Sequence, residues 1–342
     1  ESRPSVAIIL TVPTLFFFNN VFLGIEAKQY NMTMPTMQPI DFINSYIQKK
    51  KECYQNNLDI IKVGISMNDS NSYNVYTDTI FFDIQGKNIE ISWGDEFILS
   101  DYPQWQFLGD FDIPRTTCHT YSWCKETYNT VIIIGENIQT LSFDIISSHF
   151  INTIDVTRCP NLIKLDFDRA NISHIDLSYC EKLKYLSCDR NKLTYLNLTP
   201  LKSLEYFSCG FSLDEEEFSN KLKELNLSKC PNLKYLGCEY NCLSKINIQD
   251  CTKLEHINCS YNFLATSAIY EMVKALPFNE SKTTEKTFTL EAPFTMDNPF
   301  ITTEEKALWQ NCLDIAFQKS WKINILPHNK KRRNIIRQNF YR

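Results

Sequence analysis

Glycine is scarce, with 8 in 342 residues. That excludes a collagen-like chain and most architectures that cradle phosphate in a glycine-rich loop. The motifs of common catalytic folds are missing as well: there is no G-x-x-x-x-G-K-[ST], no G-x-G-x-x-G, no G-x-S-x-G and no H-E-x-x-H. Histidine is rarer still, at 5 residues. None stands at a recognisable catalytic spacing, and no set of nucleophile, base and orienting acid can be assembled. The sequence therefore reads as non-enzymatic, with no cofactor and no metal site. A large charge excess is also missing. The formal net charge of -5 argues against a dedicated nucleic-acid binder, so no nucleic acid is expected as a partner. What the chain does have is apolar material, 43% of its residues, enough to exclude bulk disorder. Its length allows one large domain or two to three ordinary ones.

Cysteine is plentiful and odd in number, at 13, so the thiols cannot all pair within the chain. Cys180/Cys188, Cys230/Cys238 and Cys251/Cys259 share one gap of eight residues, and Cys159/Cys180, Cys188/Cys209, Cys230/Cys251 and Cys238/Cys259 are all 21 apart. A recurring gap without any C-x-x-C pair is unlike zinc spacing. It reads as a repeat in which cysteine fills a small buried slot, where it behaves as a small hydrophobe. Cys118 and Cys124, with His119, stand outside the repeat.

Aligned on leucines, five units follow one another: Leu162–Phe167, Leu183–Cys188, Leu204–Cys209, Leu233–Cys238 and Leu254–Cys259, at steps of 21, 21, 29 and 21 residues. The long step carries the insertion Leu213-Asp-Glu-Glu-Glu-Phe218. Asn191, Asn241 and Asn262 come three residues after a Cys, with Leu193, Leu243 and Leu264 two further on. Ala170 holds that place in the first unit and predicts a looser turn. Each unit has a second apolar half, such as Ile172/Ile175/Leu177 or Leu243/Ile246/Ile248. This pattern, L-x-x-L-x-C-x-x-N-x-L, resembles the 21-residue bacterial leucine-rich repeat, of the type found in Bacteroidetes. The resemblance implies a solenoid of flat coils with short strands on both sides and the Asn turned inward onto backbone groups. The L-x-L alternation has the period of two that a half-buried strand needs.

Stacking such coils about 4.8 Å apart would line equivalent residues into ladders. One outward column reads Lys164, Tyr185, Tyr206, Tyr235, His256. A second, in the back halves, reads Asp155, Asp176, Asn197, Asn226, Asn247. The first is either a stacking platform for a ligand or a stabilising run of cross-strand aromatics; the second reads as structural bonding between coils.

Both ends of the array need caps. Downstream, Thr266–Leu276 reads as a helix ended by Pro277, Thr287–Leu290 as a strand, Thr303–Gln318 as a helix behind a Thr302/Glu305 capping box, with the apolar stripe Leu308, Cys312, Ile315 and Ala316, and Trp321–Leu326 as a last strand. With Leu276-Pro277, Asn298-Pro299 and Trp321, this resembles the closing segment of Bacteroidetes leucine-rich-repeat proteins, except that Ser320 replaces a Gly. Upstream, the Trp93-Gly94-Asp95 turn, His119-Thr-Tyr121 and Tyr128–Gly135 resemble a small β-sandwich of the polycystic-kidney-disease type, completed by strands around Ile61–Ile65 and Thr79–Phe82. Ile138/Leu141/Phe143 would then start the array. The implied organisation is an N-terminal segment (1–50), a sandwich (51–137), repeats (138–265), a C-terminal cap (266–328) and a basic tail (329–342). The fold class is mainly β with a few helices.

Val6–Ile25 is uncharged over twenty residues. It is either an export or anchor segment, which would anchor the protein in a membrane, or a pair of buried strands. Asp78-Thr79-Ile80 fits a short O-glycosylation motif. The reading that results is a secreted or cell-surface binding protein with a protein or glycan ligand on Lys164, Tyr185, Tyr206, Tyr235 and His256. The acidic insertion Asp214, Glu215, Glu216, Glu217 sits at one rim, where it would select a basic partner. The alternatives are an envelope scaffold that self-associates and an enzyme around Cys118, His119 and Cys124.

Overall fold

The structure, a computed structural model, describes residues 47–48, 58–67, 79–93, 106–120, 127–144, 151–210, 220–281, 283–291 and 301–327. Within them the chain is mainly β, with two long helices near its C-terminal end. Four long strands come first: β1 (Leu58–Met67), β2 (Thr79–Ser92), β3 (Gln106–Thr120) and β4 (Thr127–Phe143). They are antiparallel in the order β1-β4-β2-β3, and β5 (Ile151–Arg158) lies on the outer side of β1.

The solenoid grows from β4 without a break in the sheet. Three-residue strands follow in parallel: β6 (Lys164–Asp166), β7 (Tyr185–Ser187), β8 (Tyr206–Ser208), β10 (Tyr235–Gly237) and β12 (His256–Asn258). Register is strict, Thr140↔Lys164↔Tyr185↔Tyr206↔Tyr235↔His256. The central residue of each strand points inward: Leu165, Leu186, Phe207, Leu236 and Ile257 are all buried. The flanking residues point out, as the pleat requires. The 29-residue step does not disturb this stack, because Tyr206 still pairs with Tyr235 across it. The residues on either side of the insertion therefore keep one register. Short strands recur on the back in only two described coils, β9 (Glu224–Asn226) and β11 (Lys245–Asn247). At 172–177 and 193–198 the same positions bury Ile175, Leu177, Leu196 and Leu198 but carry no strand.

Two sequence expectations change here. Thr79–Phe82 and Asn88–Ser92 belong to one bent strand, β2, and the strand at 128–135 runs on into the first repeat unit as β4. β4 bends at Asn137, which has a left-handed φ of 53°, and there its neighbour changes from β1 to β6. The Asp59 carboxylate accepts the Ile138 N–H at 2.6 Å. Burial nonetheless raises its pKa to about 6. A single apolar cluster, from Ile61 through the repeats to Trp321, fills both regions. Trp93 belongs to it, packed on Phe82 at 5.7 Å and stacked on His119 at 4.8 Å and 11°. That contact accounts for the Trp and His of the two upstream motifs; Gly94, Asp95 and Tyr121 lie outside the described residues. Thr79 is 7% exposed, so the hydroxyl of the glycosylation motif is buried.

The cap follows the sequence closely. Helix α1 (Thr266–Ala275) covers the last coil, β13 (Lys286–Glu291) and β14 (Trp321–Leu326) extend the front sheet, and α2 (Thr303–Gln318) starts with both bonds of the Thr302/Glu305 capping box. Trp321 Nε1 donates to Pro277 O at 2.7 Å, and Lys319 Nζ donates to the carbonyls of Lys274 and Leu276 at the end of α1. The apolar stripe of α2 centres on Trp309, Cys312 and Ala316, with Leu308 and Ile315 only half-buried. Ser320 adopts the left-handed φ of 59° that the expected Gly would take. No helix among the described residues is long and apolar enough to cross a membrane. Val6–Ile25 and the basic tail lie outside those residues.

Candidate functional site: the outer face of the front sheet

The predicted column is present in register. The rings of Tyr185 and Tyr206 stack at 4.4 Å and 4°, and those of Tyr206 and Tyr235 at 4.5 Å and 4°. Lys164 Nζ lies 5.1 Å from the Tyr185 centroid, a cation–π contact at the N-terminal end. His256 continues the column beside Tyr235, with Nδ1 3.0 Å from Thr287 Oγ1. The stacking changes what the column can offer. Both faces of Tyr206 are covered by its neighbours, so a ligand meets ring edges and hydroxyls, not a flat aromatic platform. The hydroxyls follow one another along the ladder at the ring edges, with Ser187 and Ser208 in the same register two residues on. Burial raises all three phenols, Tyr235 to about 12, so they are neutral donors and acceptors at physiological pH.

Two residues further along each strand runs a trough of small polar residues: Ser142, Asp166, Ser187, Ser208, Gly237 and Asn258. Beyond it comes a carboxyl column that the sequence reading missed. Asp168 Oδ1 accepts from Ser187 Oγ and from the Asp189 N–H, both at 2.7 Å. Asp189 in turn accepts Ser208 Oγ at 2.7 and 2.9 Å. In the next coil Gly210 stands where a third Asp would be. Glu239 fills the gap: a Cβ built on Gly210 would come within 2.7 Å of its carboxyl. Burial is the main force on all three acids and raises Asp168 to about 7, Asp189 to about 6 and Glu239 to about 7. The neighbouring carboxylates add to this for Asp168 and Asp189. The recurring D-R pair at 168–169 and 189–190 was the available signal.

The opposite rim carries paired charges. Glu205 bridges Lys184 at 3.3 Å and Lys234 at 2.9 Å. The insertion residues Asp214, Glu215, Glu216 and Glu217 lie outside the described residues.

Beneath the face, the coils are held by two internal ladders. Cys188, Cys209, Cys238 and Cys259 fill one buried column, and Cys159, Cys180, Cys230 and Cys251 another, with Leu201 completing it. Thiols of the second column donate to carbonyls of the preceding strand or coil: Cys159 to Ile60 at 3.4 Å and Cys251 to Leu227 at 3.2 Å. Burial raises Cys180, Cys230 and Cys251 to about 12, which removes thiolate reactivity. The asparagines bond as the repeat implies. Asn191 accepts the Ile172 N–H at 3.0 Å and donates to Phe167 O at 2.9 Å. Asn220 takes the same role after the insertion, accepting Leu193 N–H and donating to Cys188 O. Its N-x-L context, Asn220-Lys-Leu222, could have identified it. Ala170 has no such side chain, and its turn closes through a long 3.4 Å bond to Phe167 O. The left-handed residues before these positions are Arg169, Arg190, Tyr240 and Tyr261.

The back column is structural, but mainly through turns within each coil and less through the bonding between coils that was expected. Asp155, Asp176, Asn197, Asn226 and Asn247 each accept the backbone N–H two residues ahead, at 2.9–3.2 Å. Asn247 also donates to Asn226 across coils at 3.2 Å. Cys118 is exposed on β3, His119 is stacked on Trp93, and Cys124 lies outside the described residues.

No family model matches the chain. No curated protein matches it either. Among solved structures, 26 chains match. One is the functional domain of InlJ from Listeria monocytogenes, described as including a cysteine ladder. It is 22% identical over 41% of this chain and 41% of its own length, with a TM-score of 0.19. The assignment of a leucine-rich-repeat-like solenoid rests on the strand order and registers above.

Proposed function

We propose that this is a non-enzymatic binding protein, exported or displayed at a cell surface, that meets a protein or glycan ligand with the outer face of its front sheet. The proposed contact residues are Lys164, Tyr185, Tyr206, Tyr235 and His256, together with Asp214, Glu215, Glu216 and Glu217 of the insertion. The observation that supports this most is the half-buried tyrosine ladder. Three rings and their hydroxyls are held in fixed order on a rigid parallel sheet, which makes a preorganised surface with little conformational entropy left to lose on binding. In this reading residues 51–137 form a sandwich-like spacer, 138–265 the binding array and 266–328 the cap.

The test is a screen of the full chain on glycan and protein arrays, beside a Tyr185/Tyr206/Tyr235 triple phenylalanine variant. That variant keeps the stack and removes the hydroxyls. Binding that the variant loses supports the reading; binding that it keeps in full contradicts the choice of face. A second reading, an envelope scaffold, is favoured by one feature: β14 is the last strand of the sheet among the described residues, with Ile325 47% exposed. Sedimentation that grows heavier with concentration would support it.

A further inference from the structure

We infer that the front face is built for a protein segment carrying lysine or arginine side chains, which would lie along the tyrosine ladder and set their cationic ends against Asp168, Asp189 and Glu239. This rests on the face being the ligand surface, and it decides between the two ligand classes. The first argument is what the ladder withholds. A sugar ring binds aromatic residues through their faces, and the faces of Tyr206 are taken by Tyr185 and Tyr235. What remains is a row of phenolic oxygens beside a trough that Tyr235 overhangs at Gly237 and Glu239 fills at Gly210. An extended chain fits such a row, because its donors and acceptors recur along one direction.

The second argument is charge. On the rim of Lys184 and Lys234 both cations are engaged by Glu205, whose charge is thereby taken up and not offered to a basic partner. On the other rim, Asp168 and Asp189 spend their hydrogen bonds on serine hydroxyls and backbone N–H groups. They also stand against one another and against Glu239 and Asp166 as like charges. Glu239 adds an oxygen, Oε2, that is buried and accepts no bond. These groups retain partial exposure, so a cation arriving from solvent can reach them. A guanidinium or ammonium group set against the exposed edge of the column would relieve the repulsion.

Linkage then gives a signature that neutral ligands cannot produce. Near neutral pH the column holds part of its protons, because burial and mutual repulsion disfavour its charge. A bound cation favours the charged form, so binding must release protons and must weaken on acidification. The other groups facing the column shift this balance without reversing it. From β6, Lys164 favours the charge on Asp166, and from β2, Asp83 opposes it. Arg169 and Arg190 flank the column in the next turn position. The three tyrosines are neutral over this range.

The experiment is titration calorimetry of the full chain with hexalysine, in two buffers of different ionisation enthalpy, at about pH 7.5 and about pH 5.5. The inference predicts proton release at the higher pH and affinity about tenfold lower at the lower pH. The Asp189→Asn/Glu239→Gln double variant, which mimics two of the three acids in their protonated form and so keeps the fold, should lose about tenfold in affinity and most of the proton release, with Asp168 alone left to titrate. A variant with the insertion acids 214–217 changed to amides should keep the proton release. Hexalysine binding unchanged in the double variant, or without proton release, overturns the inference. So does a glycan that binds through the tyrosine hydroxyls while hexalysine does not, although the ligand-face reading then stands. If neither glycans nor proteins engage the tyrosine face, both fail.

Discussion

The front and back of the solenoid are made from the same repeat, and each carries an aspartate ladder, yet the two ladders are in opposite electrostatic states. On the back, Asp176 takes the Ser178 hydroxyl and N–H in full solvent, which holds its carboxyl below the usual range. On the front, Asp168 also accepts a serine hydroxyl and an N–H, but it is half-buried beside Asp189 and Asp166 and is raised to about 7. Hydrogen bonding is alike in kind; burial and like-charge neighbours differ, and they win. The lesson is that position in the coil, not residue type, decides whether a ladder holds the fold together or stores unspent interaction for a partner. The back ladder is complete in itself. The front ladder is not.

The internal ladder sets the scale for breaking this comparison, because it serves both faces. Asn191→Ala would leave the Ile172 N–H buried without its partner and the Phe167 carbonyl with only the long Ala170 bond. A loss of about 3 kcal/mol in urea unfolding is expected. Next comes the front column. Its folded-state pKa values lie above those of an unfolded chain, so between about pH 4 and 7 the native state binds more protons. Stability should therefore rise as pH falls through that window and fade as pH rises through about 7. Asp59 moves in the same direction. Asp168→Asn isolates the column: it should stabilise the protein by about 1–2 kcal/mol at pH 8 and change little at pH 4. Tyr206→Ala removes two stacked contacts from a half-buried position and should cost about 1–2 kcal/mol by thermal unfolding. A loss far beyond that would make the ladder a packing device first. The smallest effect belongs to the back, where Asp176→Asn should stay within about 0.5 kcal/mol, since Asn197 already fills the equivalent place one coil on.

Much of this was legible in the sequence because a repeat states its core many times over. The leucine spacing gave the register, the Cys columns and the asparagine bonds, and Leu276-Pro277 with Trp321 gave the cap. Three things were hidden. The continuity of β2 and of β4 could not be read, because polar residues at Gln85–Asn88 and Glu136–Asn137 look like breaks and are bends within paired strands. The orientation of the tyrosine rings could not be read either: spacing places the side chains in one column, but only packing turns them face to face. The carboxyl column was hidden by the insertion, since Asp168 and Asp189 recur at 21 residues while Glu239 replaces an aspartate that the third unit lacks, with Gly210 in its place.

The most direct measurement is a carbon-13 NMR titration of the side-chain carboxyls in the unliganded full chain, following Asp168, Asp189 and Glu239 against Asp176. The account predicts midpoints near 6 to 7 for the three front acids and a midpoint below the usual carboxylate range for Asp176. All four titrating together near 4, the ordinary value for a solvated carboxyl, would contradict it.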